Sequence, residues 1–164
     1  MLAAARFVTI MLTALSMGAA FAHLLELPAK IGFDGALWLT LLQRLYPAGF
    51  GTVGAFCEVA AVVMSVVVTV LLRRHTRAFR WMLAGALGMV ATHAIFWIWV
   101  APVNAALLPL TAERLPADWT RLRDQWEWAH ASRAILQILA LAAMVTSVLV
   151  EVDGSRRRRD PASL

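Results

Sequence analysis

The chain has 164 residues, 61% of them hydrophobic and 15% charged, with a mean hydropathy of +0.72. A soluble domain holds about 45–50% apolar residues, so this composition excludes one and points to a single polytopic membrane domain. The formal charge of +5 sits in basic blocks at the ends of apolar runs, a pattern of membrane topology and contact with membrane lipids; no nucleic-acid partner is expected. One cysteine, Cys57, excludes an intramolecular disulfide and a cysteine metal cluster, and its place in an apolar run reads as packing.

A helix needs about 20 apolar residues to cross the hydrocarbon core. Four runs qualify, at 7–29, 50–72, 81–101 and 129–150. The first ends in "GAAFAHLLELPAK", where Ala20-Phe21-Ala22 resembles a leader-cleavage site. Leu24, Leu25, Leu27 and Ala29 carry the apolar pattern onward to full span length, so we expect the first span to be retained. Cleavage there would instead leave His23 at the N-terminus, an amino group and imidazole suited to copper. Between the first two spans, 34–46 is apolar on one side and reads as a short interfacial helix. After the third span, Pro102 and Pro109 are expected to end the helix and open an extracytoplasmic loop at 102–118. Asp118 is a candidate N-cap for a helix starting at Trp119 and running into the fourth span. The tail 154–164, with "RRRRD", reads as basic and disordered. Arg6, the Arg73/Arg74/Arg77/Arg80 loop and Arg156–Arg159 place both termini in the cytoplasm by the positive-inside rule.

Ionisable residues inside a membrane cost at least about 2.5–3.5 kcal/mol each on insertion scales. At about 1.5 Å per residue, His23, Glu26, Glu58, His93, His130 and Arg133 all fall in the outer half of the bundle. Helical phase groups them further. Gly51, Gly54, Glu58, Ala61 and Ser65 share one stripe; Met89, His93, Trp97, Val100 and Asn104 share another; Trp126, His130, Arg133 and Gln137 share a third. The bland reading is structural: Glu26–Lys30 as a helix-end pair, and Glu58–Arg133 as a buried lock between helices. Three histidines at one depth favour a functional site. His75, among cytoplasmic arginines, reads as surface.

Two chemistries suit these residues. His23, Glu26, Glu58 and His93, with His130, approach the carboxylate–histidine pattern of four-helix metal sites, for which iron, copper or zinc is the candidate. A haem held by His93 with His23 or His130 is the related option. The alternative needs no cofactor: His130 as a base, with Arg133 and Asn104 stabilising the resulting oxyanion. Trp97 and Trp126, with Trp99 and Trp128, are candidates to hold a flat aromatic ligand, against their ordinary reading as membrane-belt residues.

"PVNAAL", 102–107, followed by "DQWEWAHASRA", 124–134, resembles the paired signature of the anthrone oxygenase-like family. Its usual form is Pro-Thr-Asn after the third span, then a Trp, a His and an Arg opening the fourth. Val103 stands in place of the Thr, while Asn104, Trp126, His130 and Arg133 match. The four-span layout extends the resemblance to the first half; His23, Glu26, Glu58 and His93 lie outside the signature. The resemblance implies small integral-membrane proteins, most without an assigned activity, some of which oxidise polycyclic anthrones to quinones with O₂ and no known cofactor. The expectation is therefore an all-α, four-helix membrane bundle with both termini cytoplasmic, in the cell membrane, acting as an oxidoreductase on a lipophilic aromatic or quinone-like small molecule. A membrane protein that binds metal, haem or quinone without turnover, a transport component and a structural scaffold are the alternatives, any of them as a homo-oligomer.

Overall fold

The computed structural model describes residues 1–159, with side chains through Asp153. Six α-helices carry the chain: α1 (Leu2–Lys30), α2 (Gly35–Arg44), α3 (Ala55–Leu71), α4 (Thr76–Ile95), α5 (Ala101–Leu107) and α6 (Trp119–Arg159). A π-helical turn at Phe50–Gly54 leads into α3, and another at Phe96–Val100 joins α4 to α5. Four of the resulting helical segments, Leu2–Lys30, Phe50–Leu71, Thr76–Leu107 and Trp119–Asp153, are long and apolar enough to cross a membrane.

These four close a ring in which α1 packs on α3, α3 on α4, α4 on α6 and α6 on α1. The ring turns small and polar residues inward, among them Thr9, Thr13, Ser16, Ala61, Ser65 and Ala140. Large aliphatic residues face outward: Leu15 is 58% exposed, Val63 54% and Leu139 60%. Such a surface requires apolar surroundings, and several inner hydroxyls are satisfied within their own helices, as where Thr13 donates to the Thr9 carbonyl, while Ser16 and Ser147 donate across to a neighbouring helix. Closest approach falls between α4 and α6. A Cβ on Gly85 would lie 2.7 Å from Met144 Cγ and 3.0 Å from the Ala140 carbonyl oxygen.

Two apolar clusters cap the ring. One, near the termini, joins Val68, Leu72, Met82, Met89 and Met144. There Arg6 pairs with Glu151, bringing the start of α1 beside α6. The other cluster closes the opposite end and is built largely by α2, whose Trp38, Leu39 and Leu42, with Tyr46, pack on Val100, Val103, Leu107 and Trp126. Asp34 caps α2 by accepting from the Leu37 N–H at 2.9 Å. The apolar side read as interfacial is thus buried in protein, and α2 acts as a lid.

Two boundaries differ from the sequence reading. Pro102 does not end the third span: the wider π turn before it loosens the i→i−4 ladder that a proline would otherwise break, and the helix runs on to Leu107. The tail expected to be disordered continues α6 as helix to Arg159, arginine being a good helix former, while 160–164 lie outside the described residues. Gly85→Leu should wedge α4 from α6 and cost about 1–3 kcal/mol, read as a lower thermal midpoint in detergent. Gly18→Ala, with nothing within 4 Å of the added methyl, should not lower it.

Candidate functional site

Between the two apolar clusters lies a polar layer and, beside it, a cavity of about 390 Å³. Each spanning helix contributes to its walls: Ser16 and His23 from α1, Glu58 from α3, His93 from α4, and Trp126, His130 and Arg133 from α6. Asn104 of α5 and Tyr46 after the lid complete them. Both π turns reach the cavity, one through Phe50, Gly51 and Gly54 and the other through Phe96 and Trp97. The exposed wall residues are Pro47, Gly51, Ala55, Val59, Trp97 and Leu108, so the cavity is open along this side and at its lid end.

Helix α6 supplies the spine of the polar layer. Trp126, His130, Arg133 and Gln137 recur at helical spacing on its buried side. Arg133 donates to Glu58 Oε2 across the bundle at 2.5 Å and to His130 Nδ1 at 2.9 Å. Gln137 donates to the same Glu58 oxygen at 3.3 Å and accepts from the Ser16 hydroxyl at 2.9 Å. His93 Nδ1 lies 3.1 Å from Glu58 Oε1, and the Trp97 indole donates to His93 Nε2 at 3.0 Å.

These contacts assign the protons. A guanidinium and an indole N–H only donate, so His130 Nδ1 and His93 Nε2 must be acceptors. The neutral His130 ring therefore carries its proton on Nε2, while the neutral His93 ring carries it on Nδ1 and donates to Glu58. His130 Nε2 is buried and has no hydrogen-bond partner.

A second cluster lies under the lid. The Lys30 ammonium, 3% exposed, reaches Glu127 at 2.9 Å, Glu26 at 3.3 Å and His23 Nδ1 at 3.4 Å, which accounts for its three donors. The Trp38 indole donates to Glu127 at 2.8 Å and the Tyr46 phenol to Glu26 at 2.8 Å. These bonds tie the lid to α1 and α6. The clusters meet where the His23 ring stacks on His130, centroids 4.3 Å apart, with Trp126 packed 4.0 Å from His130. The Trp126 indole in turn donates to Asn104 Oδ1 at 2.8 Å.

The six polar residues expected at one depth thus form one connected region, and Asn104, Trp97 and Trp126 join them at the cavity. The expected metal set does not form. Glu58 is committed to Arg133 and His93, and Glu26 to Tyr46 and Lys30; His23 faces the ammonium of Lys30. Among the described residues no group of three or more His, Cys, Asp or Glu is placed to hold a metal ion. The haem pairing of His23 with His130 fails on geometry, because rings stacked on one another do not aim nitrogens at a common centre. His93 turns Nδ1 to Glu58 and accepts the Trp97 indole N–H at Nε2. Trp99 and Trp128 are exposed and do not line the cavity. Lys30, Trp38 and Tyr46 were not among the expected site residues. Their signal lay in the chain's only lysine, four residues after Glu26, and in Trp38, Leu42 and Tyr46 recurring every fourth position.

No protein-family model, curated protein or solved structure matches the chain.

Lys30→Met should strand Glu127 as an unpaired buried carboxylate and cost about 3–5 kcal/mol, read by denaturant unfolding in detergent; adding Glu127→Gln should restore much of that loss. Burial first, and donation to Glu26 second, push the phenol of Tyr46 well above its usual range. Because the folded state holds this proton more tightly than the unfolded chain, the resulting stability is complete below about pH 10 and declines above it. Tyr46 is the chain's only tyrosine, so absorbance at an ultraviolet phenolate band should stay flat until the protein unfolds in alkali.

Proposed function

We propose that this is a multi-pass cell-membrane protein, both termini cytoplasmic, that acts as an oxidoreductase of the oxygenase type on a flat lipophilic aromatic carrying a carbonyl or phenolic oxygen. The observation that carries this reading is an aromatic-lined cavity walled by His130, Arg133 and Asn104, with the Nε2 of His130 buried just behind that wall and without a partner, so that a ligand oxygen meets it once a neighbouring side chain shifts. An N–H buried without an acceptor costs about 1–3 kcal/mol, and a ligand oxygen would relieve it. Arg133, 2.9 Å behind on Nδ1, strengthens that donor by placing positive charge on the far side of the ring. The Asn104 amide spends its oxygen on Trp126 and keeps its NH₂ for the same ligand. His130 is then the holder of an oxygen and not the base expected from the sequence, because its Nε2 already bears a proton.

Three further points support the reading. Asn104, Trp126, His130 and Arg133, the residues matching the anthrone oxygenase-like signature, all line the one cavity. Exposure of the apolar wall residues Val59 and Trp97 suits a ligand arriving from lipid. The arginines Arg6, Arg73, Arg74, Arg77 and Arg80 lie toward the end that holds the termini, which supports a cytoplasmic face there. In the reaction so implied, an aromatic ketone with an acidic CH₂ loses a proton to give an enolate stabilised at oxygen. The electron-rich enolate is oxidised by O₂, so that CH₂ becomes C=O, one oxygen atom of O₂ is retained and the other leaves as water. No step here runs through a metal or haem.

Purified protein in detergent should bind anthraquinone, read by quenching of tryptophan emission, and consume O₂ with anthrone. His130→Phe keeps a ring stacked on His23 and removes the donor; binding should weaken about tenfold and O₂ consumption fall at least about 100-fold. Binding without O₂ consumption would make this a quinone-binding protein. A Soret band or stoichiometric metal would overturn the cofactor-free reading.

A further inference from the structure

With His130 protonated on Nε2, the proposed reaction lacks a base, and the cavity offers a different histidine for it. Of the three histidines on its walls, His23 and His130 each turn Nδ1 toward a cation, Lys30 and Arg133. Only His93 turns Nδ1 toward a carboxylate, Glu58 at 3.1 Å. That contact fixes the tautomer that leaves the Nε2 lone pair available, and it stabilises the imidazolium formed when Nε2 takes a proton. Glu58 is in turn held as an anion by Arg133 and Gln137. What occupies the His93 lone pair is the indole N–H of Trp97, and Trp97 is 62% exposed beside the cavity opening. One hydrogen bond and edge contacts with the rings of Phe96 and His93 hold it there.

We infer that Glu58 and His93 are the proton-abstracting pair of this pocket, and that Trp97 is a displaceable cap which a bound ligand pushes off His93 Nε2. The inference rests on the reading of the pocket given above. In the step itself a C–H or O–H bond of the ligand breaks heterolytically. The proton passes to His93 Nε2, and the electron pair remains on the ligand as an enolate or phenolate whose oxygen is held by His130. His93 becomes an imidazolium paired with Glu58. No oxidant takes part, so the step can be observed without O₂. His93 is the catalytic residue of the pair; Glu58 and Trp97 are positioning residues.

The test uses the full chain in lipid nanodiscs, anthrone as probe, D₂O and strict exclusion of O₂. Exchange of the anthrone CH₂ hydrogens for deuterium, followed by mass spectrometry above the buffer background, reports proton abstraction alone. Anthraquinone binding is measured on the same samples. His93→Gln should bind anthraquinone within a few-fold of the parent and lose about 100-fold or more in exchange rate. Trp97→Phe, which removes the capping N–H from an exposed side chain, should speed exchange about fivefold, the equivalent of one neutral hydrogen bond. Parent-like exchange in His93→Gln with binding intact would overturn the pair while leaving the proposed function standing. No anthraquinone binding by the parent would overturn both. Should His93→Gln fail to fold, Trp97→Phe decides: exchange no faster than the parent's overturns the inference.

Discussion

Arg133 and Glu58 meet in the middle of the bundle from α6 and α3, each burying a charge that it could not bury alone. Neither is worth much as a source of stability, since the attraction between them roughly offsets the loss of hydration. Their effect is on arrangement. Once the guanidinium has reached Glu58, its remaining edge falls on His130 Nδ1, and once the carboxylate has accepted Arg133, its other oxygen is left for His93. One ion pair thereby gives two histidines opposite tautomers. The site proposed here, one that holds an oxygen and removes a proton, needs that asymmetry.

The Lys30 cluster repeats the principle closer to the lid. A single ammonium satisfies two carboxylates and His23, and those carboxylates accept from Trp38 and Tyr46 of the segment that folds over the bundle. The lid is thus held by polar bonds set inside an apolar cluster. Polar bonds made in such surroundings are costly to leave unmade, which fixes the lid in one register. The stacked rings of His23 and His130 couple the lid cluster to the cavity.

Legibility from sequence differed by type of feature. Hydrophobic run length marked the four spans, because crossing a membrane imposes a minimum number of apolar residues wherever the helix goes. Helical phase put Trp126, His130, Arg133 and Gln137 on one side of α6, and all four are buried there. What phase did not show is the π turn at Phe96–Val100, where Val100 is buried and Trp97 sits exposed at the cavity edge. Pro102 misled because of that turn, as a break in a regular ladder is a smaller obstacle where the ladder is already widened.

Composition and periodicity by themselves determined that this chain is helical, that it needs apolar surroundings and that its ionisable residues share one depth. Those properties follow from local spacing along single helices, which a sequence displays directly. Which polar groups pair was decided only by tertiary structure. Glu58 has Arg133, His93 and Gln137 within reach from two other helices, and spacing along α3 carries no information about which it meets. The direction of each histidine's proton was likewise set across helices, by a cation facing one ring and a carboxylate facing the other. The roles proposed for them, oxygen holder for His130 and base for His93, rest on those contacts between helices and not on the residue types alone.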